Sequence, residues 1–394
     1  MDRPAVGELD PPDRLLMGPG PSEVHPRVRR AMATPLVGHL DPGFLEVMDD
    51  IQALLRYVFR TDNELTLAVS GTGSAAMEAA VTNLVEPGET VLVPGNGYFG
   101  ERLGRMVRRA GGETVTIDAP WGEPLDPADV AAAFDRHEPD LLGFVHGETS
   151  TGTLQTDVSE LTSIAHDHDA LVIADTVTTL GGVEFRADEW DVDAAYSAAQ
   201  KSLSGPPGAS PLTVNDRAMA KIRDRETPVR SWYLDLAGLA EYWGEERAYH
   251  HTAPISTYYA LREALRIAAE EGIEERWARH RHVSGSFTAG VEAMGLSLNP
   301  DPKAWLPTLN AVVLPDDVDD GAVIDVLLED HGIEVAGGLG ALAGDVLRIG
   351  CMGHSAQPRN VLDLVRALGD AIDAQGAAVD VDAGLAACRE ALRR

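Results

Sequence analysis

The chain has almost no cysteine. Cys351 and Cys388 are the only two in 394 residues. That count excludes a disulfide framework and a multi-cysteine metal site, and no metal is expected. Lysine is nearly as scarce: of 32 basic residues only Lys201, Lys221 and Lys303 are lysine. Any chemistry that needs a lysine amine therefore has three places to occur. Aromatic residues make up 5%. No stretch approaches the roughly 18 consecutive apolar residues of a membrane helix. The opening MDRPAVGELDPPD has no basic or apolar signal region, so a cytoplasmic protein away from membranes is expected. What is plentiful is acid. Asp and Glu total 63, and the formal net charge is −31. Phosphate backbones would be repelled, which argues against nucleic-acid binding. The acidity is spread along the chain. With few lysines and few aromatics it reads as adaptation to high salt, where ions screen self-repulsion; an ordinary acidic cytosolic enzyme is the alternative. Hydrophobic residues at 44% and a chain of this length predict a folded protein with two domains.

Apolar β-type runs at 65–69, 90–94, 113–118, 141–146, 171–175 and 194–197 alternate with helical stretches at 74–84, 100–109, 127–136 and 157–168. The alternation predicts an α/β fold with a mostly parallel sheet. Long helices are expected between 253 and 294. Strands at 310–314 and 346–349 then mix with helices at 320–330 and 358–374 in a smaller α+β domain. The first residues, to about Gly20, are expected to cross over and join it. The Ala- and Asp-rich end from Gly376 is expected to be partly mobile.

Four features could carry chemistry. Lys201 follows a short strand and precedes the loop Ser204-Gly205-Pro206-Pro207-Gly208, a position where α/β proteins place ligands; by position alone a solvated loop lysine reads equally well. Asp175 ends the apolar run Leu171-Val172-Ile173-Ala174. A carboxylate there needs a partner, which could be a ring nitrogen, a metal, or a loop it anchors. Ser70-Gly71-Thr72-Gly73-Ser74 opens a helix with small and hydroxyl residues that can cradle phosphate. It lacks the full dinucleotide glycine pattern and the P-loop lysine, so a plain capping turn is the other reading. Arg348, bracketed by Leu347 and Ile349, suits bidentate capture of a carboxylate, or is an edge-strand arginine. Together the four describe a pyridoxal phosphate site: phosphate anchor, ring-nitrogen partner, Schiff-base lysine and carboxylate clamp.

Ordered motifs carry a resemblance from Leu16 to about Ala371. They are Met17-Gly18-Pro19-Gly20-Pro21-Ser22, Ser70-Gly71-Thr72-Gly73, Asn96-Gly97-Tyr98-Phe99-Gly100, His146-Gly147-Glu148-Thr149-Ser150-Thr151-Gly152 and Asp175-Thr176-Val177-Thr178-Thr179-Leu180-Gly181-Gly182. Gln200-Lys201, Tyr249-His250-His251-Thr252, Gly337-Gly338-Leu339-Gly340 and Leu347-Arg348-Ile349-Gly350 continue the series. With these the chain resembles the class V (fold type I) aminotransferases, in the alanine–glyoxylate, serine–pyruvate and serine–glyoxylate group. The resemblance implies an arm at 1–20, a large pyridoxal phosphate-binding domain at 21–270 with a mostly parallel seven-stranded sheet, and a small α+β domain at 271–394. It implies Lys201 as the Schiff-base lysine, Asp175 on the pyridine nitrogen, and Phe99, where many relatives carry Trp, stacked on the ring. Thr72, Gly73, Ser74 and Gln200 would hold the phosphate, joined by Tyr249 and Thr252 from the other subunit of a homodimer. Ser150 would lie near the ring hydroxyl, Arg348 would clamp the substrate carboxylate, and Gly18 and Gly20 would lie near the substrate.

The implied reaction is transfer of an amino group from an amino acid to a 2-oxo acid such as glyoxylate or pyruvate. No second cation stands out for a side-chain carboxylate, so alanine or serine is the expected donor. A 2-aminoethylphosphonate transaminase, a desulfurase-type lyase, or a scaffold without activity are the other readings. His146, His250 and His251 read as structural and Glu148 as a loop anchor. Cys351, which follows Arg348, fits poorly as a desulfurase nucleophile, and Cys388 reads as a tail-helix core residue.

Overall fold

The computed structural model describes Met1 and residues 3–394. Its larger sheet has seven strands: β1 (Leu65–Ser70), β2 (Thr90–Pro94), β3 (Glu113–Ile117), β4 (Leu141–Val145), β5 (Leu171–Asp175), β6 (Ala194–Tyr196) and β7 (Ala209–Val214). The order across the sheet is β1-β7-β6-β5-β4-β2-β3. Only β7 runs antiparallel to its neighbours. Every residue of β4 and β5 is buried, as expected of parallel strands covered on both faces. Helices cover those faces: α1 (Gly73–Leu84), α2 (Tyr98–Ala110), α3 (Pro127–His137) and α4 (Val158–Asp167). Asp126 caps α3, accepting from the Ala128 N–H at 2.8 Å, with Pro127 just inside the helix.

The sequence pattern accounts for six of these strands, and the seventh is β7. It contains Pro211, which lacks the donor that a strand hydrogen-bonded on both sides normally needs. The sheet accommodates it because the Pro211 carbonyl still accepts from the Ser197 N–H at 2.8 Å.

A long pair of helices, α5 (Ile255–Glu271) and α6 (Ile273–Ala293), leads to a four-stranded antiparallel sheet. Its strands are β8 (Ser297–Leu298), β9 (Leu309–Val313), β10 (Ala336–Gly337) and β11 (Val346–Gly350), in the order β8-β9-β11-β10. Helices α7 (Asp320–Glu329), α8 (Pro358–Asp373) and α9 (Val381–Ala391) complete this region. A second hydrophobic core forms here from Val283, Phe287, Leu347, Ile349 and Leu368, and Met17 joins it from the start of the chain. The short strand Leu15–Leu16 pairs in parallel with Ile333–Glu334.

The end of the chain departs from the sequence expectation. Rather than a mobile tail, α9 packs on α6, with Leu385 and Cys388 buried. A Cβ on Gly384 would meet the Gly290 carbonyl at 2.9 Å, and one on Gly290 would meet the Cys388 Cβ at 3.1 Å. Glycines thus let the two helices approach closely, and the small residues that permit this also dilute the apolar pattern of the sequence. Among the described residues no helix is long and apolar enough to cross a membrane.

Candidate active site

The parallel strands end on one edge of the large sheet, and their following loops meet there. Asp175 is the last residue of β5 and is buried. Its Oδ1 accepts from the Val177 N–H at 2.9 Å, and its Oδ2 from the Tyr196 hydroxyl at 3.0 Å. Burial pushes the carboxyl up to about 7, opposed by those two donors; Glu148 adds to the rise and Lys201 opposes it.

Lys201 lies in the loop after β6. Its Nζ donates to the Pro19 carbonyl. Burial, helped by the charge of Arg348, brings the amine down to about 8. Of the other two lysines, Lys221 is paired with Glu89 at 2.5 Å and Lys303 is exposed. Gly20 has φ +113°, and a Cβ there would lie 2.6 Å from Lys201 Cδ and 2.8 Å from Nζ. Only glycine can occupy this position without displacing the lysine. Gly18 packs on the Val335 backbone, and a Cβ on Gly350 would strike the Gly18 carbonyl. The arm that carries Gly18 and Gly20 therefore bridges Lys201 and the strand of Arg348.

Arg348, buried on β11, uses Nε to hold the Gly337 carbonyl at 2.8 Å. Its terminal nitrogens have no hydrogen-bond partner among the described residues. Burial lowers this guanidinium to about 10, with Glu148 opposing.

Glu148 anchors the opposite wall. Its Oε2 accepts from the N–H groups of Phe99 (3.0 Å) and Gly100 (3.2 Å), and its Oε1 from the N–H (2.9 Å) and hydroxyl (2.6 Å) of Ser150. A carboxylate so placed satisfies the open N-terminus of α2 and fixes Phe99. Ser150 Oγ also accepts from the Tyr98 N–H at 3.0 Å.

The phosphate-cradle residues sit at the start of α1. Thr72 is the N-cap but makes no side-chain bond to the first turn, and Thr72 and Ser74 are exposed. A Cβ on Gly73 would lie 3.0 Å from Ala198 Cβ and 3.3 Å from Val177 Cγ2, so this helix start abuts the loops of both Lys201 and Asp175. Gln200 Oε1 is buried without a partner. Tyr249 (63% exposed) and Thr252 face solvent. Between them, His251 Nε2 meets Ser70 Oγ at 2.9 Å.

The sequence reading missed two residues. Tyr196 looks like one more apolar strand residue. Arg102 is hidden among the arginines of α2; its guanidinium lies 4.7 Å from the Phe99 ring centroid and also helps lower Lys201. It is a second cation at the site, but it is stacked on Phe99 and Tyr98. The histidines do not join the cluster. His146 is buried against Phe185 and Trp190, bonded to Thr179 Oγ1 at 2.9 Å and pushed down to about 3. His250 is stacked on Trp232. Burial pushes the thiols of Cys351 and Cys388 up to about 12 and about 11, so neither supplies a thiolate at neutral pH.

Residues 29–352 match the family model for aminotransferase class V. The chain belongs to the class V aminotransferases. It is 37% identical over 375 residues to the alanine–glyoxylate aminotransferase of Drosophila melanogaster, covering 94% of this chain and 95% of that one. The alanine–glyoxylate aminotransferase of Nostoc sp. superposes with TM-score 0.91 at 50% identity, covering 93% and 97% of the two chains. The ureidoglycine–glyoxylate aminotransferase of Bacillus subtilis superposes with TM-score 0.96 at 39% identity, covering 98% and 100%.

As a class V aminotransferase the chain uses pyridoxal phosphate, and the site fits that group. The first turn of α1 is open to an anion, with its backbone N–H groups as donors, and at Gly73 it abuts the Lys201 loop through Ala198. A buried carboxylate, a lysine of lowered basicity and an aromatic wall converge within reach of one another.

Proposed function

We propose that the chain transfers the amino group of a small neutral amino acid, alanine or serine, to glyoxylate, with pyruvate as an alternative acceptor. The carrying observation is Arg348. Its Nε is engaged by Gly337 while its terminal nitrogens remain open, and its charge is felt at Lys201. One open guanidinium suits one α-carboxylate. Arg102, the other cation, is stacked on aromatic rings, which leaves the side-chain pocket suited to a neutral group. The named activities of the Drosophila, Nostoc and Bacillus relatives support glyoxylate as acceptor.

In this reading pyridoxal phosphate, when bound, supplies a carbonyl that accepts the amino group and a ring that takes up electron density. Lys201 would hold the cofactor, and its lowered basicity suits the amine to take and return the α-proton. Asp175 would pair with the ring nitrogen. Phe99 would stack on the ring, Ser150 would lie near the ring hydroxyl, and Thr72, Gly73, Ser74 and Gln200 would hold the phosphate. Arg348 orients the carboxylate, with Gly18 and Gly20 shaping the space next to it. Alanine plus glyoxylate gives pyruvate plus glycine, so the test is to measure both products with alanine, serine and ureidoglycine as donors. Alanine or serine turning over fastest supports the reading; a clear preference for ureidoglycine redirects it.

The molecule is read as a homodimer in which Tyr249 and Thr252 reach the partner's phosphate. Exposed Leu36, Leu40, Trp232, Tyr233 and Tyr249 support this, because so many large apolar side chains on one chain call for a cover. The division into an arm (1–20), a large domain (21–270) and a small domain (271–394) is supported by two hydrophobic cores, with Ile273 and Trp277 at the start of α6 packed in the first and Met17 of the arm in the second. The charge of −31 supports a salt-adapted cytoplasmic enzyme, whose activity rises in molar salt.

A further inference from the structure

Asp175 has two oxygens, and each is held by a different kind of donor. The Val177 N–H is part of the turn after β5 and comes with the backbone. The second donor, the Tyr196 hydroxyl at 3.0 Å, is a side chain from the neighbouring strand. Asp175 and Tyr196 are register partners across β5 and β6, so the sheet itself sets the pairing. The backbone of Tyr196 is fixed independently of its phenol, because its carbonyl accepts from both the N–H (2.9 Å) and the hydroxyl (2.8 Å) of Thr176. Tyr196 is fully buried, and its hydroxyl has no other partner among the described residues.

We propose that Tyr196 is a positioning residue for the cofactor's ring nitrogen, acting through Asp175: its hydroxyl fixes the plane of the carboxylate and helps keep it ionised. The inference rests on the assignment of Asp175 to the ring nitrogen given above. The surroundings explain why a second donor is needed. Burial and the nearby Glu148 both disfavour charge on Asp175, while only Lys201 and the two donors favour it. The phenol cannot compete for that charge, since burial and the carboxylate itself raise it well above its usual range. It stays a donor at every working pH.

The test compares two ligands. Pyridoxal phosphate and its 1-deaza analogue, in which a carbon replaces the ring nitrogen, differ only where Asp175 acts. Their dissociation constants are measured by titration of apo wild type and Tyr196→Phe. Wild type should prefer the natural cofactor, and Tyr196→Phe should shrink that preference about tenfold, the lower range for a charge-assisted hydrogen bond. Binding of the analogue itself should stay unchanged. If Tyr196→Phe folds poorly, 3-fluorotyrosine at position 196 keeps the ring, strengthens the donor and should widen the preference. Equal loss for both ligands, or an unchanged ratio, overturns the proposal and leaves the phenol with a packing role only. A wild type that binds the two ligands equally overturns the Asp175 assignment, and this inference with it.

Discussion

The two halves of the site are built differently. The inner half is Asp175, Tyr196, Lys201, Glu148 and Arg348. It is closed by the chain itself: its polar groups are paired or buried, and several are displaced from their ordinary ionisation. The outer half is Thr72, Ser74, Tyr249 and Thr252, which are exposed and make no side-chain hydrogen bond among the described residues. On the proposed assignment one chain is enough to prepare the reacting groups, while the phosphate side is left for a covering surface. The difference teaches where the energy of each half comes from. Inner groups act through a low local dielectric that the fold supplies. Outer groups act only once water has been excluded by something else.

That contrast can be broken most sharply at Lys201. Lys201→Ala should lose about 10²–10⁴ of turnover, the usual worth of a positioned proton-transfer group, and should abolish covalent capture of the cofactor in borohydride-trapping mass spectra. Asp175→Asn should follow, with a loss of about 10²–10³ in kcat, measured at saturating donor. Arg348→Gln should lower kcat/KM about 10–100-fold, mainly through KM, because it removes a charged clamp rather than the reacting amine.

The pH dependence sharpens the comparison. Lys201 sits at about 8, so in the apo protein its capture of pyridoxal phosphate should rise with pH through about 8 and level off, well below the range of an ordinary lysine. Arg348 is one of the charges that lower Lys201, so Arg348→Gln should move that midpoint upward. A midpoint near that of free lysine would show that the inner half is not as dry as its contacts imply. The smallest effects belong to the outer half. Thr252→Ala and Tyr249→Phe should each weaken cofactor binding about three- to tenfold, one hydrogen bond's worth. They should do so only at protein concentrations where gel filtration shows a dimer; an equal loss in a monomer would break the distinction.

Much of the inner half was legible in the sequence because strand ends are. Asp175 closes an apolar run, and Lys201 stands out in a chain with three lysines. Arg348 was singled out between two apolar residues, although an edge-strand arginine read equally well until folding buried it on β11. Tyr196 was not, since a buried tyrosine in Ala-Ala-Tyr-Ser looks like packing until its strand neighbour is known. Arg102 was hidden because helix α2 carries Arg105, Arg108 and Arg109 as well, and only folding shows which one meets Phe99. The same limit applied to the fold. Parallel strands announce themselves by unbroken apolar runs, but β7 is interrupted by Pro211, and α9 packs through Ala and Gly, whose pattern is faint.

The strand Leu15–Leu16 is made early, yet its partner Ile333–Glu334 is made late. On the ribosome, Lys201 emerges before the segment that tethers its ceiling of Pro19 and Gly20 exists. Until synthesis has passed Glu334 the lysine has neither its dry surroundings nor Arg348 to lower its basicity. The lowered basicity of Lys201 therefore depends on segments made long after it in the chain.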